Sequence, residues 1–242
     1  MVWAPAFLTN PERFMAFSRW AAPLIGLIAV VLGAWGLWLG FTAPEDYQQG
    51  DTVRIMFIHV PAAWTCMFAY VCLGGASFLA LVFRHALADA AAAAAAPLGA
   101  AFTFLALITG SLWGRPMWGT WWVWDARLTS VLVLFLLYVA YIALRSALDD
   151  EAKAARASAI LALVGLVNLP IIHWSVTWWN SLHQGSSVFS AGGGALDPAY
   201  LKPLLIMGLA YTAAFGSLWL VRIRGELWRR RAEVLQLRAA RA

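Results

Sequence analysis

Charge is what this chain has least of. Asp, Glu, Lys and Arg make up 12% of its 242 residues, against 62% hydrophobic residues. So few charges cannot cover a soluble globule of this size, and the integral membrane class is what remains. Cysteine is almost absent as well: Cys66 and Cys72 stand six apart in one apolar run, with no C-x-x-C and no C-x-x-C-H anywhere. That argues against a dithiol redox centre and against covalent tethering of a prosthetic group to this chain, and leaves two small apolar packing residues. No ATP-binding motif occurs, and no acid or base falls in the middle of a long apolar run. No cleavable leader is expected, because the first apolar run begins late, at Trp20, and is long enough to span.

What is present is six apolar runs, each near the ~20 residues a helix needs to cross a bilayer. They are expected at Trp20 to Phe41, Ala62 to Phe83, Pro97 to Leu112, Leu128 to Leu144, Ala159 to Trp174 and Leu204 to Val221, the third and fifth borrowing flanking residues. The expected fold is an all-α integral membrane protein, residues 1–242, with six transmembrane helices in a single membrane domain. With the N-terminus inside, the inner segments carry 13 of the 17 Lys and Arg and the outer segments 4. That bias places both termini in the cytoplasm. The net charge of +5 is therefore topology plus a basic tail, 222–242, expected to lie along the inner leaflet. The alanine run Ala90 to Ala96 and the charged segment Arg145 to Ser158 read as inner connections, with His85 solvated.

The stretch that demands explanation is W-G-R-P-M-W-G-T-W-W-V-W-D-A-R-L-T, from Trp113 to Thr129. Trp113, Trp118, Trp121, Trp122 and Trp124 fall there with Asp125, Arg115 and Arg127. If its second half is helical, Trp118, Trp121, Trp122 and Asp125 share one face at i, i+3, i+4 and i+7. An aromatic anchoring belt at the membrane interface is the plain alternative. Such a face also suits a large planar ligand with acidic groups, because indoles stack on a macrocycle while guanidiniums pair with its carboxylates. Haem fits that description.

Two further outer segments bear on the choice. The first, 42–61, ends in F-I-H-V-P and places His59 at a helix start beside Pro61; it also holds Arg54. The third, 175–203, carries Trp179 and His183, one turn apart if helical, then the glycine run Gly192 to Gly194, read as a flexible loop. Singly, each histidine reads as an interfacial hydrogen-bonding residue. Together with 113–127, the three segments bring two imidazoles and a tryptophan wall to one membrane face, which supplies two axial ligands and the edge of a haem site. Arg54, Arg115 and Arg127 are then candidates for the propionates, and Asp125 for hydrogen bonding within the loop or for holding an arginine. His173 is a rival ligand, better read as packed and hydrogen-bonded.

W-G-T-W-W-V-W-D-A-R-L-T resembles the WWD signature of haem-handling proteins. F-I-H-V-P-A-A-W and N-L-P-I-I-H-W-S-V-T-W-W-N-S-L-H-Q resemble the two histidine segments of the CcmC family, the C component of bacterial cytochrome c maturation. The resemblance implies non-covalent haem b with bis-histidine iron on His59 and His183, and haem contacts along Trp118 to Arg127. It implies delivery to the periplasmic haem chaperone CcmE in the bacterial inner membrane, with the transporter subunits CcmA and CcmB and the small membrane protein CcmD as partners. It implies no enzyme activity and no nucleic-acid partner. The competing readings are a b-type electron-transfer cytochrome, whose paired histidines would lie within the spans, a transporter permease subunit without haem, and a purely structural scaffold.

Overall fold

A computed structural model describes residues 10–183 and 196–240. The glycine run Gly192 to Gly194 lies outside the described residues, as does the end of the tail. Among the described residues there are seven α-helices and no strand: α1 Pro11–Phe41, α2 Met56–Phe83, α3 Ala86–Trp118, α4 Ala126–Ala147, α5 Glu151–Gly165, α6 Asn168–Trp178 and α7 Pro198–Ala239. A 3-10 turn, Asp51–Ile55, leads into α2. The helices supply six stretches long and apolar enough to cross a membrane, with α5 and α6 sharing one of them.

Local chemistry sets most of the boundaries. Asn10 accepts from the N–H groups of Glu12 and Arg13, with Pro11 as the first helical residue, so α1 begins where the Asn-Pro-Glu signal predicts. Asp150 and Asp197 cap α5 and α7 in the same way. The α5–α6 break follows from Pro170, whose ring excludes a straight helix past Leu166 and which has no N–H to donate. Turn bonds from Leu166 and Val167 to Leu163 and Val164 take up part of the loss.

Neighbouring helices run antiparallel, and small residues let them close. On α1, a Cβ at Gly36 would sit 2.7 Å from Met207 Sδ on α7, and one at Gly40 2.6 Å from the Phe57 ring. Ser217 donates to Ala22 O across the same α1–α7 seam. His59 stands level with Ala106 and Thr109, so α2 and α3 pair over their whole length. The alternation gathers 42–55, 119–125 and 179–183 at one end, called here the tryptophan end, and 84–85 and 148–150 at the other, the charged end.

Three expectations need correction at the charged end. The alanine run is not a connection: it is the first part of α3, and Ala90, Ala92, Ala94, Ala95 and Ala96 are buried against α4 and α7. Side chains this small let Trp219 reach in and donate to Ala91 O at 2.7 Å. His85 is not merely solvated, since its Nδ1 caps α3 by accepting from Ala88 N–H. The basic tail is not a separate surface helix. It continues α7, whose 42 residues extend about 63 Å, well beyond the ~30 Å hydrocarbon core. Ion pairs hold it upright: Arg230 to Asp89 at 2.5 Å and Arg229 to Glu151 at 3.1 Å.

Asp89 also pairs with Arg145 through two bonds of 2.6 and 3.2 Å. These side chains are only 14% and 16% exposed. Arg145→Ala is therefore expected to cost roughly 1–3 kcal/mol, less than a fully buried pair because water still reaches the cluster. Unfolding of the purified variant in detergent checks this, with Lys153→Ala, whose ion-pair partners are far more exposed, as the silent control.

Candidate functional site

At the tryptophan end the three connections meet around two histidines. His59 sits in the first turn of α2, one turn deeper than its place beside Pro61 suggests, with its ring turned toward α3. Its Nδ1 lies 3.0 Å from Ala106 O and 3.1 Å from Thr109 Oγ1. A carbonyl can only accept, so the proton belongs on Nδ1 and the Nε2 lone pair is left free. Trp113 meets the imidazole edge-on at 5.7 Å, and its own Nε1 donates to Gln49 Oε1 at 2.9 Å. The first connection is thereby fastened to α3.

His183 is placed by Asp125. One carboxylate oxygen of Asp125 accepts from Leu128 N–H at 2.7 Å and caps α4. The other accepts from Ser181 Oγ at 2.6 Å and from His183 Nδ1 at 3.2 Å. Ser181 Oγ in turn accepts from His183 N–H at 3.1 Å. Burial alone would raise the Asp125 carboxyl, yet the bonds from Ser181, Leu128 N–H and His183 outweigh it and hold the group below the ordinary carboxylate range. Burial lowers the His183 imidazole, only partly offset by Asp125, and the Arg127 charge lowers it further. The result is a neutral imidazole with Nδ1 committed and no bond to Nε2 among the described residues. Trp118 lies edge-on to it at 4.8 Å. The two histidines are close enough to influence each other electrostatically.

Two helical expectations fail here. Trp118, Trp121, Trp122 and Asp125 do not share one helix face, because α3 stops at Gly119, whose φ of 74° is the left-handed form that favours glycine, and α4 starts only after Asp125. Residues 119–125 form an irregular strap. Trp121 and Trp124 stand exposed on it, and Trp122 packs edge-on to Trp124 at 5.5 Å. Likewise α6 ends at Trp178, so Trp179 is extended and shares no helical turn with His183.

The arginines also divide. Arg127 is occupied with α6: it donates to Ser175 Oγ at 3.2 Å, Ile172 O at 3.4 Å and His173 O at 3.2 Å. Asp125 therefore orients a histidine and does not hold an arginine. Arg115 donates to Gly119 O and lies over the Trp121 ring at 5.8 Å. Arg54 pairs with Asp51 at 2.9 Å and lines a small cleft with Leu37, Gly40, Phe41, Phe57 and Ile58, on the α1 side. The His173 ring is exposed and meets the edge of Trp174 at 5.2 Å, which corrects its reading as a packed side chain; its hydrogen bond to Arg127 is made through the backbone carbonyl. Residues the sequence reading missed are Gln49, Thr109 and Ser181. Only Ser181, two before His183, offered a local cue.

Among the described residues no cluster of three or more His, Cys, Asp or Glu could cage a bare metal ion. Two imidazoles with free Nε2 atoms suit an iron whose other donors arrive with its own macrocycle. Trp122 Nε1 and Arg54 Nε are buried with no hydrogen-bond partner among the described residues.

The family profile described as Heme exporter protein C matches residues 5–238. The chain belongs to that family. Heme exporter protein C of Bradyrhizobium diazoefficiens is 57% identical over 96% of this chain and 89% of its own length. The Escherichia coli K12 protein of the same description is 50% identical over 90% and 88%. That of Paracoccus denitrificans is 43% identical over 96% and 97%. Membership accounts for six spans and a multi-pass membrane protein.

Proposed function

We propose that the tryptophan end takes up haem, handles it for cytochrome c maturation and passes it on without chemical change. His59 and His183 would hold the iron from its two sides through Nε2. Trp113, Trp118, Trp121, Trp122, Trp124 and Trp179 would cover its faces and edges. The propionates would find Arg54, Arg115 and Trp122 Nε1, with Arg127 contributing charge from its post on α6. The observation that carries this reading is the matched state of the two imidazoles: each has Nδ1 fixed by an acceptor and Nε2 left as a ligand. The cargo on this reading is haem b, and the lack of a C-x-x-C-H in the sequence supports its being held non-covalently.

On this reading the membrane is the bacterial inner membrane and the tryptophan end faces the periplasm, an orientation with both termini in the cytoplasm that the Lys and Arg bias supports. Haem would be delivered there to the chaperone CcmE, in a complex with CcmA, CcmB and CcmD. A ligand set on connections, and not in the bundle core, suits delivery, since the cargo stays reachable by a partner. The same placement disfavours the buried b-type cytochrome.

Asp125→Asn keeps the side-chain shape but removes the charge that fixes the His183 tautomer. Loss of such an orienting partner weakens metal affinity by about 10–100-fold. Haem titration of the purified chain should show that weakening with some binding retained. Unchanged affinity would mean that Asp125 serves only as the α4 cap.

A further inference from the structure

The interior of the bundle holds polar side chains that the haem reading leaves unused. Tyr70, Tyr138 and Tyr141 are buried, and the Tyr70 and Tyr138 rings meet edge-on at 5.0 Å. Two glycines make room for them: a Cβ at Gly99 would overlap the Tyr138 ring and one at Gly165 the Tyr70 hydroxyl. Between this pair and the tryptophan end, polar groups are satisfied by backbone. Tyr138 donates to Cys66 O at 2.8 Å, Cys66 to Ala63 O, Thr103 to Gly99 O and Thr109 to Leu105 O.

From the pair toward the charged end the situation reverses. The hydroxyls of Tyr70, Ser77 and Ser158 are buried with no hydrogen-bond partner among the described residues. Ser77 lies two turns beyond Tyr70 on α2, and Ser158 two turns before Gly165 on α5, so the antiparallel register that faces Tyr70 with Gly165 brings the two serines to one level. The α2–α3 register sets that level against the alanine run of α3, whose short side chains fill little space. Tyr141 comes from α4 with its hydroxyl beside Ser77 and Arg145, and Arg145 leads to Asp89 and the charged end.

A buried hydroxyl without a partner costs roughly 1–3 kcal/mol; Tyr70 and Ser158 carry that cost in full, while Ser77 has the Tyr141 hydroxyl beside it. Water removes that cost where a site is polar and roomy. We propose that Tyr70, Ser77 and Ser158, facing the alanine run, form a water-binding site entered from the charged end past Tyr141 and Arg145. The Tyr70–Tyr138 ring pair closes it toward His59. The bundle is thus hydrated from one side to its middle and dry beyond, which keeps the haem-binding end sealed from water arriving through the protein. The alanine run acquires a purpose here: larger residues would fill the site.

The test is X-ray hydroxyl-radical footprinting of the full chain in nanodiscs, read by mass spectrometry, because radicals born from bound water oxidise buried neighbours. Tyr70 should be oxidised far faster than the equally buried Phe215, and Ser77→Val with Ser158→Val should lower that oxidation several-fold. Tyr70 protected to the level of Phe215 in the unaltered chain overturns the proposal. Ser77→Ala with Ser158→Ala gives a second reading. Hydroxyls that bind water are missed when deleted, so the unfolding temperature falls; hydroxyls that are dry orphans are better gone, so a raised or unchanged temperature also overturns it.

Discussion

His59→Ala and His183→Ala should each strip the purified protein of haem, with affinity falling by more than the ~100-fold that loss of a mere orienting partner can cost. Each substitution removes one of two axial donors, so residual haem should be five-coordinate and high-spin. The two variants should not behave alike in the protein without haem. His59 is wedged between α2 and α3, where its Nδ1 ties to Ala106 O and Thr109, so His59→Ala also loosens that seam. His183 hangs on Asp125 and Ser181 in the third connection, and its loss leaves the helices intact. His59→Ala should therefore lower the unfolding temperature as well as haem content, and His183→Ala haem content alone. Absorption spectra and thermal unfolding of the same samples separate the two effects. Full haem retention in either variant would remove that histidine from the site.

The second large effect is expected far from the histidines. Gly99→Ala places a methyl group where the Tyr138 ring now lies, with α2, α3 and α4 all packed around that ring. The ring must leave its position, giving up its bond to Cys66 O and its contact with Tyr70. Overpacking of this kind costs about 1–3 kcal/mol, and the lost hydrogen bond about 1 kcal/mol more. A fall in unfolding temperature of roughly 5–15 °C follows for a chain of this length. Gly75→Ala, on a helix face with open space around the added carbon, is the control and should change little. Trimming the ring in the double variant Gly99→Ala, Tyr138→Leu should recover part of the loss. A Gly99→Ala protein as stable as the unaltered chain would show that α3 and α4 do not pack at this spacing.

The spans and the helix start at Asn10 were legible in the sequence because they depend on apolar length and on side chains two or three residues away, whereas Asp150 was hidden in a segment read as a connection. The meeting of three connections was legible too, since alternating helices leave few ways to arrange them. What failed were the two guesses of helix through aromatic segments. Gly119 stops α3 in a left-handed turn that the flanking tryptophans disguised, and Asp125, read as part of a helical face, is a cap whose preference for that place follows from the next turn, Ala126 to Thr129. Trp179 lost its helical register because α6 ends at Trp178 and the chain turns extended at Trp179. The alanine run was mistaken for a connection because alanine is indifferent to lipid, water and protein; only its burial against Trp219 and the α4 tyrosines reveals its place. The role of Asp125 as the partner of His183 spans 58 residues, and no local pattern announces it.

The central claim is that His59 and His183 present free Nε2 atoms to one haem iron. Imidazole rescue tests it most directly. His59→Gly, His183→Gly and His173→Gly are purified with haem, and their spectra are followed as free imidazole is added. The account predicts that the first two begin high-spin and return to the low-spin six-coordinate spectrum as imidazole fills the missing position, while His173→Gly is low-spin from the start and does not respond. A low-spin His183→Gly protein with no imidazole added, or rescue of His173→Gly in its place, would contradict the site described here.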